Sequence, residues 1–239
     1  MLYKIYPMLL FFFSFLGTEE VKPTNEVKPA AVVVAKAETT LTAAEKAEAL
    51  YNTIDANNFT MPQLESFTIA LEGFQNLQQQ GKVTKNILTL IDFSLSSNTK
   101  RLWIIDMTTN TILQNSLVAH GRNTGDEFAN NFSNLPESFK SSLGFYATGE
   151  VYQGKHGLSM RLDGLDKGMN DNARARAVVM HGADYVAESF IKNHSRLGRS
   201  LGCPAIPNGL TKEIISLIKD KSCLYIYHPS LKKKTVKAA

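Results

Sequence analysis

The stretch of this sequence best suited to chemistry is S-R-L-G-R-S-L-G-C-P-A-I-P, from Ser195 to Pro207, which holds one of the chain's two cysteines. Gly202 directly precedes Cys203. Because glycine adopts backbone conformations closed to other residues, the segment can turn tightly and point successive N–H groups inward. Pro204 then removes one donor and fixes the exit direction. We predict a thiol nucleophile on this turn, with Ser200 aligning the turn or contacting substrate.

A histidine at the end of a short apolar run is the candidate base for this thiol. The run V-V-M-H-G leads to His181 and Gly182, which predicts a buried strand that delivers the histidine at its end. A thiol needs a base to become a thiolate near neutral pH. We therefore predict that His181 takes the proton of Cys203 and later returns it to a leaving amine. The peptide N–H groups of Leu201, Gly202 and Cys203 are candidate oxyanion donors.

Three further side chains are candidates for the same pocket. His156, in K-H-G, is predicted to orient His181 or the substrate; the alternative is a loop histidine bonded to backbone. Arg176 and Arg199 are predicted to bind substrate carboxylates, because a guanidinium forks well onto a carboxylate. The alternative for both arginines is a solvated surface position.

Composition excludes some classes of function. The chain has 239 residues, 44% of them apolar and 20% charged, with a formal charge of +4, which is ordinary for one sizeable globular domain. No basic patch is interleaved with aromatic residues, so nucleic acid is not expected as a partner. Part of the positive charge lies in a C-terminal basic tail, 231–239, predicted to be solvated.

The N-terminus has the pattern of a secretory signal peptide. Lys4 is followed by an uncharged run rich in Leu and Phe that ends at Gly17, and the run is too short for a comfortable membrane span. We predict a signal peptide at 1–17; the alternatives are a buried helix or an uncleaved anchor. Residues 18–40 contain breaking prolines and predict a linker. The expected location is periplasmic or cell-wall associated.

Export raises the question of a disulfide, since secreted proteins meet an oxidising environment. Cys203 and Cys223 could pair. We favour a free Cys203, because its glycine-flanked position is unnecessary for a structural cysteine. Cys223, in S-C-L-Y-I-Y, has the pattern of a small buried hydrophobe.

The remaining sequence predicts a mainly β domain with flanking helices, an α+β fold at 83–230 preceded by a helical segment at 41–82. Thr42 and Glu45 form a capping box for a first helix, and Thr60 is the predicted cap of a second helix that begins near Pro62. Residues 121–143 are polar and predict a long loop near the site. Antiparallel strands are predicted at 87–95, 101–106 and 111–119, further strands at 144–152, 157–162, 176–180 and 223–228, and later helices at 185–193 and 210–219.

Several sequence blocks together resemble the catalytic domain of the L,D-transpeptidases (YkuD-type), in a variant branch with S-x-G-C-P-A. They are Y-x-G-K-H-G-L-S-M-R-L-D-G-L, R-A-V-V-M-H-G-A-D-Y-V, L-G-R-S-L-G-C-P-A-I-P and the closing L-Y-I-Y, in that order. The commoner family pattern has histidine where this chain has Leu201. It also has Arg or Asn shortly after the cysteine, where this chain has Pro204 and Ala205. The variant branch shares these changes.

The resemblance implies a β-sandwich or barrel catalytic domain and thiol acyl transfer on peptidoglycan stem peptides. Cys203 would attack the meso-diaminopimelate carbonyl of a tetrapeptide stem and expel D-alanine, and the acyl group would pass to an amine. The acceptor would belong to a second stem, a protein or a D-amino acid. The matched block around His181 adds Gly182 and Tyr185 to the predicted substrate-binding residues.

Other interpretations of the same residues stay open. Transfer to water would make the protein an L,D-carboxypeptidase, and loss of catalysis would leave a cell-wall-binding module. A metal site would need ligands such as His156, His181 and Cys203, but no metal-binding spacing supports it, so we expect no metal and no cofactor. The segment Ser97–Lys100 matches S-x-x-K, but it is predicted as a turn where that motif needs a helix. We expect a monomer.

Overall fold

The structure is a computed structural model that describes residues 42–231. The predicted signal peptide 1–17, the linker 18–40 and all but the first residue of the basic tail lie outside the described residues. No helix in the described range is long and apolar enough to cross a membrane. The helices within it are α1 (Ala43–Tyr51), α2 (Leu64–Gln79), α3 (Glu188–His194) and α4 (Thr211–Ile218), with a short 3-10 helix at Asn208–Leu210.

The strands form one mixed sheet in the order β3-β2-β1-β8-β4-β5-β6-β7. β1 pairs with β8 and β6 pairs with β7 in parallel, and the other pairs are antiparallel. The strands are β1 (Ile87–Asp92), β2 (Leu102–Asp106), β3 (Thr111–Ser116), β4 (Gly144–Gly154), β5 (Gly157–Gly164), β6 (Val179–Ala183), β7 (Ala205–Pro207) and β8 (Cys223–Tyr227).

Helices cover both faces of the central strands, which explains why β1 is apolar without alternation. Leu88 and Leu90 pack with Phe67 of α2 on one face. Ile91, which points the other way along the pleat, packs with Ile214 of α4. Every residue of β1 is buried. A strand buried on both faces reads as a continuous apolar run.

The chain after β3 joins the two edges of the sheet. Ala119 N–H donates to the carbonyl of Ala205 in β7 at 2.8 Å, and Gly121 bridges to Ser200. These bridges connect β7 at one edge to the continuation of β3 at the other, so the sheet curls toward a barrel. The predicted fold class, mainly β with flanking helices in a barrel-like catalytic domain, is confirmed.

The capping box of α1 is confirmed, whereas the predicted cap of α2 is wrong. Glu45 N–H donates to Thr42 Oγ1 at 3.2 Å, and the Glu45 carboxylate accepts from Thr42 N–H at 2.7 Å. The N-cap of α2 is Gln63, without a side-chain hydrogen bond. Thr60 instead donates its hydroxyl to Asn115 and its carbonyl accepts from Trp103 Nε1. Tertiary partners have taken the groups that capping would have used.

Three other element predictions need correction. The strand before the histidine begins at Val179 and extends to Ala183, because residues 170–177 wind through consecutive turns with Ala177 at φ +54°. His181 therefore lies inside β6 instead of at its end. The predicted helix at 185–193 begins only at Glu188. β7 was not predicted. The expected antiparallel run of the first three strands is confirmed, whereas the sheet partners of the later strands were not predicted.

Candidate active site

Cys203 lies on a turn whose backbone is held by Ser200. The Ser200 hydroxyl accepts from Gly202 N–H at 3.0 Å and donates to the Cys203 carbonyl at 2.6 Å. Gly202 has φ +126°, a conformation that L side chains rarely adopt, and a Cβ there would lie 2.9 Å from the Lys140 carbonyl oxygen. Both the backbone conformation and the lack of space therefore require glycine at position 202. The Ser200 side chain is buried against the turn and holds its backbone.

A buried serine from the predicted loop supports this turn from behind. The Ser141 hydroxyl donates to the Gly202 carbonyl at 3.1 Å and accepts from Gly121 N–H at 3.0 Å. Gly121 packs so closely that a Cβ on it would lie 2.9 Å from Gly202 Cα. The orientation of the Gly202–Cys203 peptide is therefore set by three segments that are distant in sequence.

The thiol of Cys203 is half-buried against the start of β6. Its Sγ lies 3.9 Å from the Ala177 carbonyl oxygen. Burial raises the pKa of the Cys203 thiol, while the Val179 N–H and the positive charge of Arg176 act in the opposite direction. Both cysteines are free, so the disulfide alternative is wrong. Cys223 is fully buried in β8, and burial raises its pKa to about 12.

His181 reaches this region through the parallel pairing of β6 with β7. The register places His181 opposite Ala205, two residues after Cys203. Cys203 lies on the turn directly before β7, so this register brings His181 beside the strand that follows the turn. The His181 ring is 3% exposed, and its Nδ1 lies 2.8 Å from the Gly182 carbonyl oxygen.

That hydrogen bond fixes the protonation pattern of His181. A carbonyl oxygen only accepts, so Nδ1 carries the proton and Nε2 keeps its lone pair. Burial lowers the pKa of His181, and the neighbouring His156 lowers it further. The two rings stack with centroids 4.6 Å apart. His181 is therefore a neutral imidazole with a basic Nε2, the form a general base needs. Gly182, predicted to bind substrate, contributes the carbonyl that orients it.

The two predicted carboxylate-binding arginines are engaged by the protein itself. Arg176 donates to carbonyl and hydroxyl oxygens of the segment 133–142. Arg199 pairs with Asp126 and donates to the Gly125 carbonyl. Arg176 is close enough to Cys203 to affect the thiol pKa, whereas the contacts of Arg199 point toward 122–126. Substrate binding by either arginine stays a prediction.

Two further predicted residues lie beside the same turn. Burial raises the pKa of Tyr185 to about 12, and the charge of Cys203 raises it further. The Tyr185 carbonyl also accepts from Gly198 N–H at 2.9 Å. His156 is exposed at the tip of the β4–β5 hairpin, where only its stacking on His181 links it to the site.

Of the three predicted oxyanion donors, one is already hydrogen-bonded within the described residues and two are not. Gly202 N–H is bound to the Ser200 hydroxyl and is no longer available. Leu201 N–H and Cys203 N–H find no acceptor among residues 42–231. Two donors therefore remain next to the thiol to receive a developing negative charge.

Sequence reasoning missed the residues that support this site. Ser141 gave no signal beyond its place in a polar loop. His120 is buried, and its Nδ1 accepts a hydrogen bond from Arg101 Nη2 at 2.9 Å. Its backbone carbonyl accepts from Ser200 N–H at 3.0 Å. Arg101 is itself fully buried. In the described part of the chain no cluster of three or more His, Cys, Asp or Glu side chains could hold a metal ion.

Comparison with known protein families assigns most of this sequence to one family. A family model described as the L,D-transpeptidase catalytic domain matches residues 60–227, which confirms the resemblance seen in the sequence blocks. No curated protein matches the chain significantly.

Similar solved structures include an L,D-transpeptidase from Mycobacterium smegmatis, at 10% identity and a TM-score of 0.37, with 60% of this chain and 59% of that chain covered. The helical cell shape determining protein Pgp2 from Campylobacter jejuni is 14% identical with a TM-score of 0.38, covering 64% and 55%. Bd1075 from Bdellovibrio bacteriovorus is 15% identical with a TM-score of 0.37, covering 64% and 54%. The chain thus spans less than two thirds of the length of these structures.

Proposed function

This chain belongs to the L,D-transpeptidase catalytic domain family, and from that premise we propose that it is an exported cysteine acyltransferase acting on peptidoglycan stem peptides. The observation that carries the proposal is the His181 imidazole. Its Nδ1 is tied to the Gly182 carbonyl, and its strand is paired in register with the segment that follows Cys203. A structural histidine has no need for a free, basic Nε2 at that place.

The proposed reaction begins when the Cys203 thiol passes its proton to His181 Nε2. The sulfur attacks the meso-diaminopimelate carbonyl of a tetrapeptide stem, and the N–H groups of Leu201 and Cys203 receive the oxyanion. The carbon–nitrogen bond to D-alanine then breaks, and the departing amine takes the proton from His181. The product of this half-reaction is a thioester on Cys203 and free D-alanine.

The second half-reaction regenerates the thiol. An acceptor amine gives a proton to His181 as it attacks the thioester carbonyl, and the sulfur leaves with that proton. The acceptor amine would come from a second stem, a protein or a D-amino acid. Water in the same place would yield a tripeptide stem, which is the carboxypeptidase alternative. In this proposal Ser200 and Gly202 hold the turn, and contacts of His156, Tyr185, Arg176 and Arg199 with substrate remain predictions.

Intact-mass measurement with a carbapenem tests the acyl-enzyme step. We expect one covalent adduct on the wild-type protein, none on Cys203→Ala, and an unchanged adduct on Cys223→Ala, because Cys223 is buried away from the site. Muropeptide digests then separate the outcomes. Dimeric stems or exchanged D-alanine indicate transfer, and tripeptide stems alone indicate hydrolysis. A folded, reduced wild type without any adduct would contradict the proposal and favour a wall-binding module.

A further inference from the structure

Arg176 precedes β6 and uses its guanidinium to hold one segment of the loop. Nη1 donates to the Ser133 carbonyl at 2.9 Å and to the Ser142 hydroxyl, and Nη2 donates to the Lys140 carbonyl at 2.7 Å and the Ser138 hydroxyl at 3.3 Å. All four Nη hydrogens are therefore occupied. One side chain ties together both ends of the segment 133–142.

The same segment packs directly on the turn formed by Ser200–Cys203, called the nucleophile turn below. The Lys140 carbonyl oxygen lies 2.9 Å, and Arg176 Nη2 lies 3.5 Å, from the position that a Cβ on Gly202 would occupy. Ser141, next to Lys140, holds the Gly202 carbonyl. A displacement of Arg176 would thus be transmitted to the Gly202–Cys203 peptide over two contacts.

The charge of Arg176 has no acidic partner in the described part of the chain. The ionisable groups that sense its charge are the Tyr146 phenol and the Cys203 thiol. Burial raises the pKa of Tyr146, so the phenol stays neutral. Guanidinium keeps its proton in proteins. The Cys203 thiolate, once formed, is the anion this half-buried cation faces.

We propose that Arg176 is a positioning residue of the acyl-transfer site, which fastens the segment 133–142 onto Gly202 and presents a fixed positive charge to Cys203. This role differs from the predicted binding of a substrate carboxylate, because all four Nη hydrogens already bind oxygens of the protein. The catalytic consequence rests on the proposed function, whereas the structural role and the effect on the thiol do not.

The other titratable groups that face the thiol must be distinguished from Arg176. His181 lies on β6, with His156 stacked on it from the β4–β5 hairpin, and Tyr185 lies in the segment after β6. None of these three changes in an Arg176 variant. A shift in thiol pKa on replacing Arg176 therefore reports the lost cation or a loosened turn, and a charge-retaining variant separates the two.

The matched variants are Arg176→Gln, Arg176→Lys and Arg174→Gln. Arg174 lies two residues earlier in the same turns but is exposed and paired with Glu150 and Asp163, away from the thiol. The readouts are the pH dependence of Cys203 alkylation by iodoacetamide, measured by mass spectrometry, hydrogen exchange of residues 133–142, and the rate of carbapenem acylation.

We expect Arg176→Gln to slow alkylation at pH 7 about tenfold, because the thiolate loses its nearby cation, and to increase hydrogen exchange in residues 133–142. Arg176→Lys should recover most of the alkylation rate. It should not restore the protection of residues 133–142 from hydrogen exchange, because one ammonium cannot bridge the oxygens of Ser133 and Lys140. Arg174→Gln should behave as wild type. If Arg176→Gln fails to fold, Ser142→Ala supplies the second test, with faster exchange and an unchanged thiol pKa.

Unchanged thiol pKa and unchanged exchange in folded Arg176→Gln would overturn the proposal. So would a defect seen only with stem peptides that carry a free terminal carboxylate and absent with the amidated peptide, since that result assigns Arg176 to substrate binding. Alkylation and exchange need no acylating substrate. A wild type without a carbapenem adduct would therefore refute the proposed function, while these two readouts would still decide the role of Arg176.

Discussion

Ser141→Ala tests whether the nucleophile turn is held from behind, as the structure requires. The Ser141 hydroxyl is 1% exposed and bridges Gly121 N–H and the Gly202 carbonyl. Removing it leaves two buried backbone groups unpaired, each costing about 1–3 kcal/mol. Part of that cost is recovered because the hydroxyl itself is no longer buried. We therefore expect a loss of about 2–4 kcal/mol in the free energy of unfolding.

The magnitude converts into measurable shifts. For a domain of this size, each kcal/mol lowers Tm by about 2–4 °C, so the variant should melt roughly 4–16 °C lower. The Gly202–Cys203 peptide would also lose its fixed orientation. Misplacement of a reacting group by about 1 Å costs on the order of 100-fold in rate, so carbapenem acylation should slow by about 10- to 100-fold. Ser189→Ala, at an exposed position of α3, is the matched control.

Differential scanning fluorimetry gives Tm, and intact-mass time courses at a temperature where both variants are folded give the acylation rate. A Ser141→Ala protein as stable and as reactive as Ser189→Ala would refute the role of the hydroxyl. A lower Tm with an unchanged acylation rate would show that the hydroxyl stabilises the loop without orienting the thiol, which would refute the positioning argument.

Three further predictions follow from burial. A thiol reagent at pH 8 should label Cys203 and spare Cys223 in the native protein, since burial raises the pKa of Cys223 to about 12; labelling at Cys223, located by peptide mapping, would contradict its burial. Burial lowers the pKa of His120 from 6.5 to about 4. The contribution of its neutral ring to the free energy of unfolding is therefore complete above pH 6.5 and is lost as pH falls toward 4. Denaturant titrations should show that the free energy of unfolding falls by a total on the order of 3 kcal/mol between these pH values. The fall should be smaller in His120→Gln and unchanged in His194→Gln, which lies at an exposed position. Phe67→Ala should destabilise the whole domain by about 3–5 kcal/mol in one cooperative transition, because the ring is fully buried between α2 and the sheet; separate unfolding of the helices, with the sheet intact, would show that 41–82 is an independent unit.

The parts of the fold predicted correctly from sequence depend on local signals. The capping box of Thr42 and Glu45 needs only residues three apart, and the β4–β5 hairpin needs only the turn at 154–157 between two apolar segments. The parallel pairing of β1 with β8 joins residues more than 130 positions apart, such as Leu88 and Cys223. No local pattern encodes such a pairing, so the sequence predicted β1 and β8 as strands but not that they are neighbours.

Candidate chemical residues are easier to propose from a sequence than the contacts around them, for a physical reason. Cys203 and His181 belong to rare, reactive types whose chemistry is a property of the side chain. The roles of Arg176 and Arg199 depend on which acceptors fill their donors, and those acceptors are backbone carbonyls and serines that the sequence does not distinguish. Guanidinium chemistry alone made a substrate carboxylate a reasonable partner, whereas the fold supplied partners from the protein.

The departure at Leu201 from the commoner family pattern has a consequence for proton transfer. Leu201 is 58% exposed and carries no titratable group, so the position directly before Gly202 cannot exchange a proton with the thiol. Among the described histidines, His181 pairs with the strand after Cys203 and His156 stacks on it, whereas the His120 ring is bonded to Arg101 and Gly125. Both half-reactions of the proposed mechanism need one proton acceptor that later becomes a donor. Because Nδ1 of His181 is bound to a backbone carbonyl, its Nε2 is the group that we propose for this role.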